Sequence, residues 1–298
     1  MGTEFRITAD NDGRRVDRVL RTKWPDVPLG AIMKAVRTGA VRLDGRKTKP
    51  DERLSSGQIL NVPWEVNEPT ASGEKRRVFT GLDTLYRDGF VWIVNKPAGL
   101  LVQPDKKGGD SVITRALSEL GWTRSDFRPA PVQRLDRNTT GAVMIALTGA
   151  AQRLLSELIR ERKIKKIYHA VVEGSADDEG RVDIPLKKDT AENRVRADKD
   201  GQEALTLYRC LADFGTKSLV ELQLITGRPH QARVHMAYIG HPIVGDAKYG
   251  SGRGARRPLL HARRLIFPDC GGLPAELCGL AVTAPLPDDM KKYETEDK

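Results

Sequence analysis

The stretch "QRLDRNTTGAVMIAL" (133–147) has two unlike halves. The first is polar and carries one carboxylate, Asp136, between Arg134 and Arg137; from Gly141 onward the second is an apolar run. An apolar run of this length behind a turn-rich segment reads as a buried strand, and the polar half as the loop that feeds it. Turn chemistry alone accounts for most of the loop, with Asp136 accepting from nearby backbone amides. The flanking arginines are what that account leaves over.

The same reading extends outward. "FVWIVNKP" (90–97) is a second buried strand ending in a turn. "TGAAQRLLSELIRER" (148–162) is a helix capped by Thr148, with Leu154, Leu155, Leu158 and Ile159 inward. "KIKKIYHAVVEG" (163–174) returns as a strand, and "SLVELQLI" (218–225) alternates Val220, Leu222 and Leu224 against Glu221 and Gln223. Strands joined by both hairpin-like and helical connections predict an α+β fold with a mixed, largely antiparallel sheet. This main unit covers residues 78–298.

Upstream the pattern differs. "RRVDRVLRTKW" (14–24) sets Val16, Val19, Leu20 and Trp24 on one helical face, and "GAIMKAVRTG" (30–39) repeats the design with a Gly39 stop. Asp44-Gly45 marks a tight turn between short strands, and "GQILNVP" (57–63) is another strand. Residues 1–63 therefore form a small basic αβ unit. "WEVNEPTASGEKRR" (64–77) lacks periodicity and reads as a linker.

Charge narrows the partners. The chain carries a net charge of +10, and residues 228–268 hold eight basic side chains against one acid, Asp246. Such an excess favours polyanions, through counterion release at phosphates. No apolar run approaches the ~20 residues that span a bilayer, so no membrane partner is expected. The three cysteines, Cys210, Cys270 and Cys278, show no Cys-x-x-Cys spacing, and the first residues have no apolar signal core. Both features fit the cytoplasm. Glycine-rich nucleotide loops and the zinc arrangement of deaminases are missing from the sequence. His230, His235 and His241 lack the pairing and carboxylates of a metal site, and read as structural or RNA-facing. The expected site uses no metal, no cofactor and no bound nucleotide.

Five segments stand out in order: "VNKPAGLLVQP" (94–104), the stretch quoted first, "IKKIYHAVVEG" (164–174), "ITGRPHQARVHMAYIGHPIVGDAKYG" (225–250), and "LLHARRLIFPD" (259–269) followed by "APLP". Together they resemble the RluA family of RNA pseudouridine synthases over roughly residues 14–287. The N-terminal unit is similar to an S4 RNA-binding domain, and its sequence is especially similar to the RluC-like branch, which acts on large-subunit ribosomal RNA. The resemblance implies that Asp136 is the catalytic aspartate, Tyr168 the family's tyrosine, Arg233 the basic partner of the aspartate, and Arg134 the arginine that assists when the uridine leaves the stack. Gln133, Thr140, Pro229 and Ala232 depart from the family's usual residues, and none removes a catalytic group. The family also suggests a monomer.

The chemistry fits these residue types. Isomerisation of uridine breaks the C1′–N1 bond and makes a C1′–C5 bond, without redox change or added atoms. It needs an ionised carboxylate, as nucleophile at the base or at C1′ or to stabilise a glycal-forming route. A neighbouring cation favours that ionised form. A base must then remove the C5 proton; Tyr168 is a weak one at neutral pH, and its ring is better suited to stacking on a flipped uracil. Lys96 and Pro97 read as scaffold beneath the catalytic loop, and Gly141 as a point where RNA backbone approaches closely. Arg137, with Arg253, Arg256 and Arg257 in the glycine-rich "YGSGRGARRP" (249–258), are the expected phosphate contacts. Arg15, Arg18, Lys34, Arg37, Arg42, Arg46 and Lys47 are the candidate basic face of the N-terminal unit, holding structured RNA by shape and phosphate. Ribosomal RNA is the first expectation and transfer RNA the second. A non-catalytic RNA-binding or ribosome-assembly protein is the alternative from another class. A metal-dependent nuclease is disfavoured for lack of clustered carboxylates.

Overall fold

The computed structural model describes residues 2–65, 80–105, 108–122, 127–189, 191–192, 194–269 and 272–294. The chain begins with β1 (Thr3–Arg6), followed after a short 3₁₀ turn over Ala9–Asn11 by α1 (Val16–Lys23) and α2 (Leu29–Thr38). The hairpin β2 (Arg42–Leu43) and β3 (Arg46–Lys47) and the strand β4 (Ile59–Val62) complete a four-stranded sheet ordered β1-β4-β2-β3. Gly39 ends α2 in the left-handed region at φ 79°, where glycine carries no Cβ penalty. Asp44 and Gly45 both have positive φ, the geometry of the tight hairpin turns that match strand twist. Ile7, Leu20, Ile32, Leu43 and Leu60 fill the centre of this unit. Two features extend it beyond its expected helices and strands. β1 pairs in register with β4, Phe5 opposite Leu60. Trp64, expected to open the linker, packs on Trp24, whose indole N–H donates to the Glu65 carbonyl. Residues 66–77 of the expected linker lie outside the described residues.

The second sheet is built from ten strands. It starts with β5 (Asp83–Arg87) and β6 (Val91–Lys96); after α3 (Val112–Glu119) come β7 (Ala130–Pro131) and β8 (Thr140–Ala146). Helix α4 (Gly149–Arg160) leads to β9 (Lys165–Glu173) and β10 (Glu179–Asp183). A separate hairpin, β11 (Leu186–Asp189) and β12 (Arg194–Ala197), precedes β13 (Leu205–Asp213) and β14 (Lys217–Leu224). Then follow α5 (Gln231–Tyr238), β15 (Leu260–Ile266), β16 (Ala281–Thr283) and α6 (Asp288–Lys291). The main order is β10-β13-β14-β9-β15-β8-β6-β5, antiparallel except at β15 and β8. This is the α+β, largely antiparallel architecture expected from the sequence.

Burial explains why the central strands read as apolar runs. All seven residues of β8 are buried, and Val91 to Val94 of β6 are fully so. Val143 and Ile145 face the α3 side while Ala142, Met144 and Ala146 face α4 and the Leu265–Val282 side. Thr148 caps α4 by accepting from the Ala151 N–H, as the sequence indicated. Gly141 sits at φ 106°, and a Cβ there would lie 2.3 Å from the Ala262 carbonyl oxygen. Its smallness serves the parallel crossing of β8 and β15. The expected role in admitting RNA backbone is therefore corrected: Gly141 is buried inside the sheet.

Candidate active site

Loop 132–139, between β7 and β8, divides its side chains between core and solvent. Leu135 packs inward against the clusters around Tyr168 and around Val94 and Val143. Arg134 and Arg137 point outward and are exposed. Asp136 lies between these two environments, with its side chain 31% exposed. The loop is a turn, since the Thr139 N–H donates to the Asp136 carbonyl. Among the described residues, however, no backbone amide donates to the carboxylate. It accepts from Arg233 NH1 at 3.1 Å through Oδ2.

Arg233 stands on the first turn of α5 and is fixed before it reaches Asp136. Its Nε and NH2 fork onto Asp246 at 2.7 and 2.8 Å. Asp246 is fully buried, and its Oδ1 also accepts from the N–H groups of Lys248 and Tyr249. Burial opposes the charge on Asp246, but the Arg233 fork and those amides outweigh it and hold the carboxyl below its usual range. Burial likewise opposes the charge on Arg233, and the two carboxylates outweigh it and push the guanidinium up. Because a guanidinium is planar with donors on three nitrogens, locking two of them aims the third at Asp136. The Tyr249 ring lies 5.0 Å from the same guanidinium.

His230 closes another side of the carboxylate. It occupies the left-handed region at φ 52°, uncommon for a non-glycine residue, and its Nε2 lies 3.8 Å from Asp136 Oδ1. Nδ1 is tied to the Tyr249 hydroxyl at 2.6 Å. Burial lowers the His230 pKa against the opposing pull of Asp136, which favours the neutral ring. The other two clustered histidines are structural. His235 is buried between Thr206 and the Ile184 carbonyl, and His241 bonds the Glu173 carbonyl.

Tyr168 enters from β9. Strand alternation sets Tyr168, Ala170 and Val172 on the face that packs against Ala232 and Met236 of α5. The residue is 8% exposed, and burial, aided by the Asp136 charge, pushes its phenol well above the ordinary tyrosine value. The neutral phenol is thereby favoured and a phenolate base disfavoured.

Beneath the loop, Lys96 has no exposed surface. Its Nζ donates to the carbonyls of Pro97, Leu100 and Arg137 at 2.8–3.0 Å. The Gly99 N–H adds a second bond to the Arg137 carbonyl. This is the scaffold role expected for the Lys96-Pro97 turn. Burial pushes the ammonium down to about 7 from its ordinary 10.5. Below about pH 7 both folded and unfolded chains hold that proton, and the cost of burying it is present in full. Between about 7 and 10.5 only the unfolded chain holds it, so Lys96 makes stability rise with pH across this window. The wild type is therefore expected to gain thermal stability over Lys96→Met between pH 6.5 and pH 9.5. A wild type that loses ground over that range would contradict the assignment.

A second sequence expectation is overturned. Arg257, grouped with Arg253 and Arg256 as a phosphate contact, is only 7% exposed. It forks onto Asp289 at 2.7 and 2.8 Å and donates to the carbonyls of Asn138, Pro258 and Leu260. Arg257 braces loop 132–139 from behind and is nearly buried, whereas Arg253 and Arg256 are exposed. On the N-terminal unit, Arg15, Arg18, Lys34, Arg37, Arg42, Arg46 and Lys47 are all exposed, with Arg15 paired to Asp17 and Arg46 to Glu52. Asp246, His230 and Tyr249 were not among the expected site residues. For Asp246 a signal existed, since it is the lone acid in the basic stretch 228–268.

Residues 90–238 match the family model described as RNA pseudouridylate synthase. The chain is 32% identical to a protein of Vibrio cholerae named ribosomal large subunit pseudouridine synthase C, over 97% of this chain and 95% of that protein. It is also 32% identical to ribosomal large subunit pseudouridine synthase D of Xylella fastidiosa, over 93% and 87% of the two chains. Among solved structures it is similar to human RNA pseudouridylate synthase domain containing 1, at a TM-score of 0.57 and 26% identity, covering 69% of this chain and 83% of that one.

Proposed function

The chain belongs to the RNA pseudouridylate synthase family, and from that premise we propose that it isomerises specific uridines of large-subunit ribosomal RNA, with Asp136 as the nucleophile. The observation that carries the assignment of Asp136 is the locked Arg233, whose third nitrogen meets the carboxylate at 3.1 Å while the other two are held on buried Asp246. Positioning of this kind lowers the reorganisation needed at the moment of reaction.

In this reading the target uridine leaves the helix and its uracil lies against Tyr168, next to Asp136. Arg134, exposed and without a hydrogen bond among the described residues, fills the space the base vacates. The carboxylate assists departure of N1 from C1′, the base turns, and C5 bonds to C1′. The C5 proton then leaves to an acceptor in the cleft, and N1, which departed with the bonding pair, takes up a proton, so that all atoms of the uridine are conserved. With its phenol pushed up, Tyr168 serves as the stacking platform rather than as that acceptor. Arg137, Arg253 and Arg256 meet phosphates at the rim. Residues 1–63 act as an S4-like RNA-binding domain that holds structured RNA, and residues 78–298 as the catalytic domain.

Two measurements test this. Purified protein incubated with unmodified ribosomal RNA, without added metal or cofactor, should form pseudouridine at defined positions, read by nucleoside analysis and carbodiimide mapping. Product on transfer RNA alone would move the substrate, and RNA binding without product on either would put the binding-protein alternative in front. The second concerns the N-terminal unit: Lys34→Ala with Arg37→Ala should weaken binding to long structured RNA and reduce the salt slope by about 2. An unchanged slope would remove those two residues from the RNA face.

A further inference from the structure

The N-terminal unit meets helix α4 of the main unit at a small, well-made joint. The joint is the 3₁₀ turn over Ala9–Asn11 against the first turn of α4. The Gly149 N–H donates to Asp10 Oδ1 at 2.9 Å. Arg153 reaches back from α4, donating from NH1 to the Asp12 carbonyl at 2.7 Å and from NH2 to the Ala9 carbonyl at 3.2 Å. These bonds meet needs on both sides. An α-helix leaves its first N–H groups without intrahelical acceptors, and Asp10 supplies one with a charge that suits the helix N-terminus. The turn in exchange has its own carbonyls satisfied.

Two further observations mark this as a fitted contact. At Gly149 a Cβ would stand 2.2 Å from the Asp10 carbonyl oxygen, so the backbones approach more closely than any other residue allows. Gly149 has no positive φ that would otherwise call for glycine. In addition, among the described residues buried Asn11 has its side-chain N–H₂ without an acceptor, and Gln152, in the first turn of α4, has its side-chain carbonyl without a donor. Each of the joint's two elements thus carries one buried amide atom left unpaired.

We propose that this latch, made by Asp10, Gly149 and Arg153, fixes the N-terminal unit as a rigid arm of the active site and so sets the distance between its basic face and Asp136. Asp10, Gly149 and Arg153 are then positioning residues for the pseudouridylation of long, folded RNA that spans both parts. A swinging module samples many separations, and only a fraction place a bound RNA across the cleft; a docked one offers the two grips at a constant spacing and a higher effective concentration. The latch has no part in handling a short RNA that reaches only the cleft. This inference rests on the reading that the N-terminal unit grips RNA.

The test uses the full chain with two variants, Gly149→Leu and the double variant Asp10→Ala with Arg153→Ala. Small-angle scattering reports docking. Dissociation constants and turnover are measured on a long ribosomal RNA fragment and on a short stem-loop carrying the same target. Both variants should become more extended, weaken affinity for the long fragment about tenfold, raise its KM by a similar factor with kcat nearly unchanged, and leave the stem-loop constants at the wild-type level. Extended variants with unchanged long-RNA affinity overturn the proposal, as do variants that both stay as compact as the wild type. Equal losses on both RNAs make the joint merely a folding contact and overturn it as well. Failure of the underlying reading looks different: Lys34→Ala with Arg37→Ala would then leave long-RNA affinity unchanged.

Discussion

Asp136→Asn should bind RNA nearly as well as the wild type and form pseudouridine at least about 10⁴-fold more slowly, the loss seen when a nucleophile is removed from an otherwise intact site. The amide keeps the shape of the carboxylate and can still accept from Arg233 NH1, so the loop and its neighbours stay in place. Leu135 remains anchored in the core, and the Arg137 carbonyl remains held by Lys96 and Gly99. The reacting charge is what disappears. Single-turnover assays at saturating enzyme, with filter binding alongside, separate the two effects. Turnover within tenfold of the wild type would end the assignment of Asp136.

Arg233→Met is expected to damage stability and catalysis together, for different reasons that a second substitution separates. Removing the guanidinium leaves Asp246 with no exposed surface and no counterion, and breaking one side of such a pair costs about 3–5 kcal/mol. The thermal midpoint of a unit this size should fall by roughly 10 °C. In Arg233→Met with Asp246→Asn, the amide oxygen can still accept from the Lys248 and Tyr249 N–H groups, and no charge is stranded. Most of the lost stability should return. Activity should not, because nothing then aims a cation at Asp136. Recovery of turnover in the double variant would recast Arg233 as purely structural, and failure to recover stability would place the cost elsewhere.

Most of the fold was legible because its signals are local. The seven-residue β8, the capped α4 and the alternating β14 each announce themselves within one window. β1 escaped because four residues, alternately half-buried and exposed, make too short a pattern. The site was legible through resemblance more than through spacing: Asp136 and Arg233 lie 97 positions apart, and no local pattern ties them. Arg257 was misplaced for the same reason. "GSGRGARR" (250–257) looks like an open basic loop, yet the acid that claims its last arginine, Asp289, lies 32 positions on. Gly141 looked like an opening for a ligand because the strand against which it packs, β15, begins more than a hundred residues later.

That insertion of β15 between β9 and β8 has a consequence for how the protein comes into being. Until residues 260–266 are in place, the sheet exists as two separate halves. Asp136 belongs to the half built on β8 and β6, while Tyr168 and Arg233 belong to the half built on β9 and β14. Contacts between positions so distant in the chain are closed late, since the entropy of the intervening loop must be overcome first. A chain growing from its N-terminus completes the N-terminal unit long before it can complete the cleft. On the function proposed above, the capacity to hold RNA therefore matures earlier than the capacity to modify it, and a nascent or partly folded chain would be a binder before it is an enzyme.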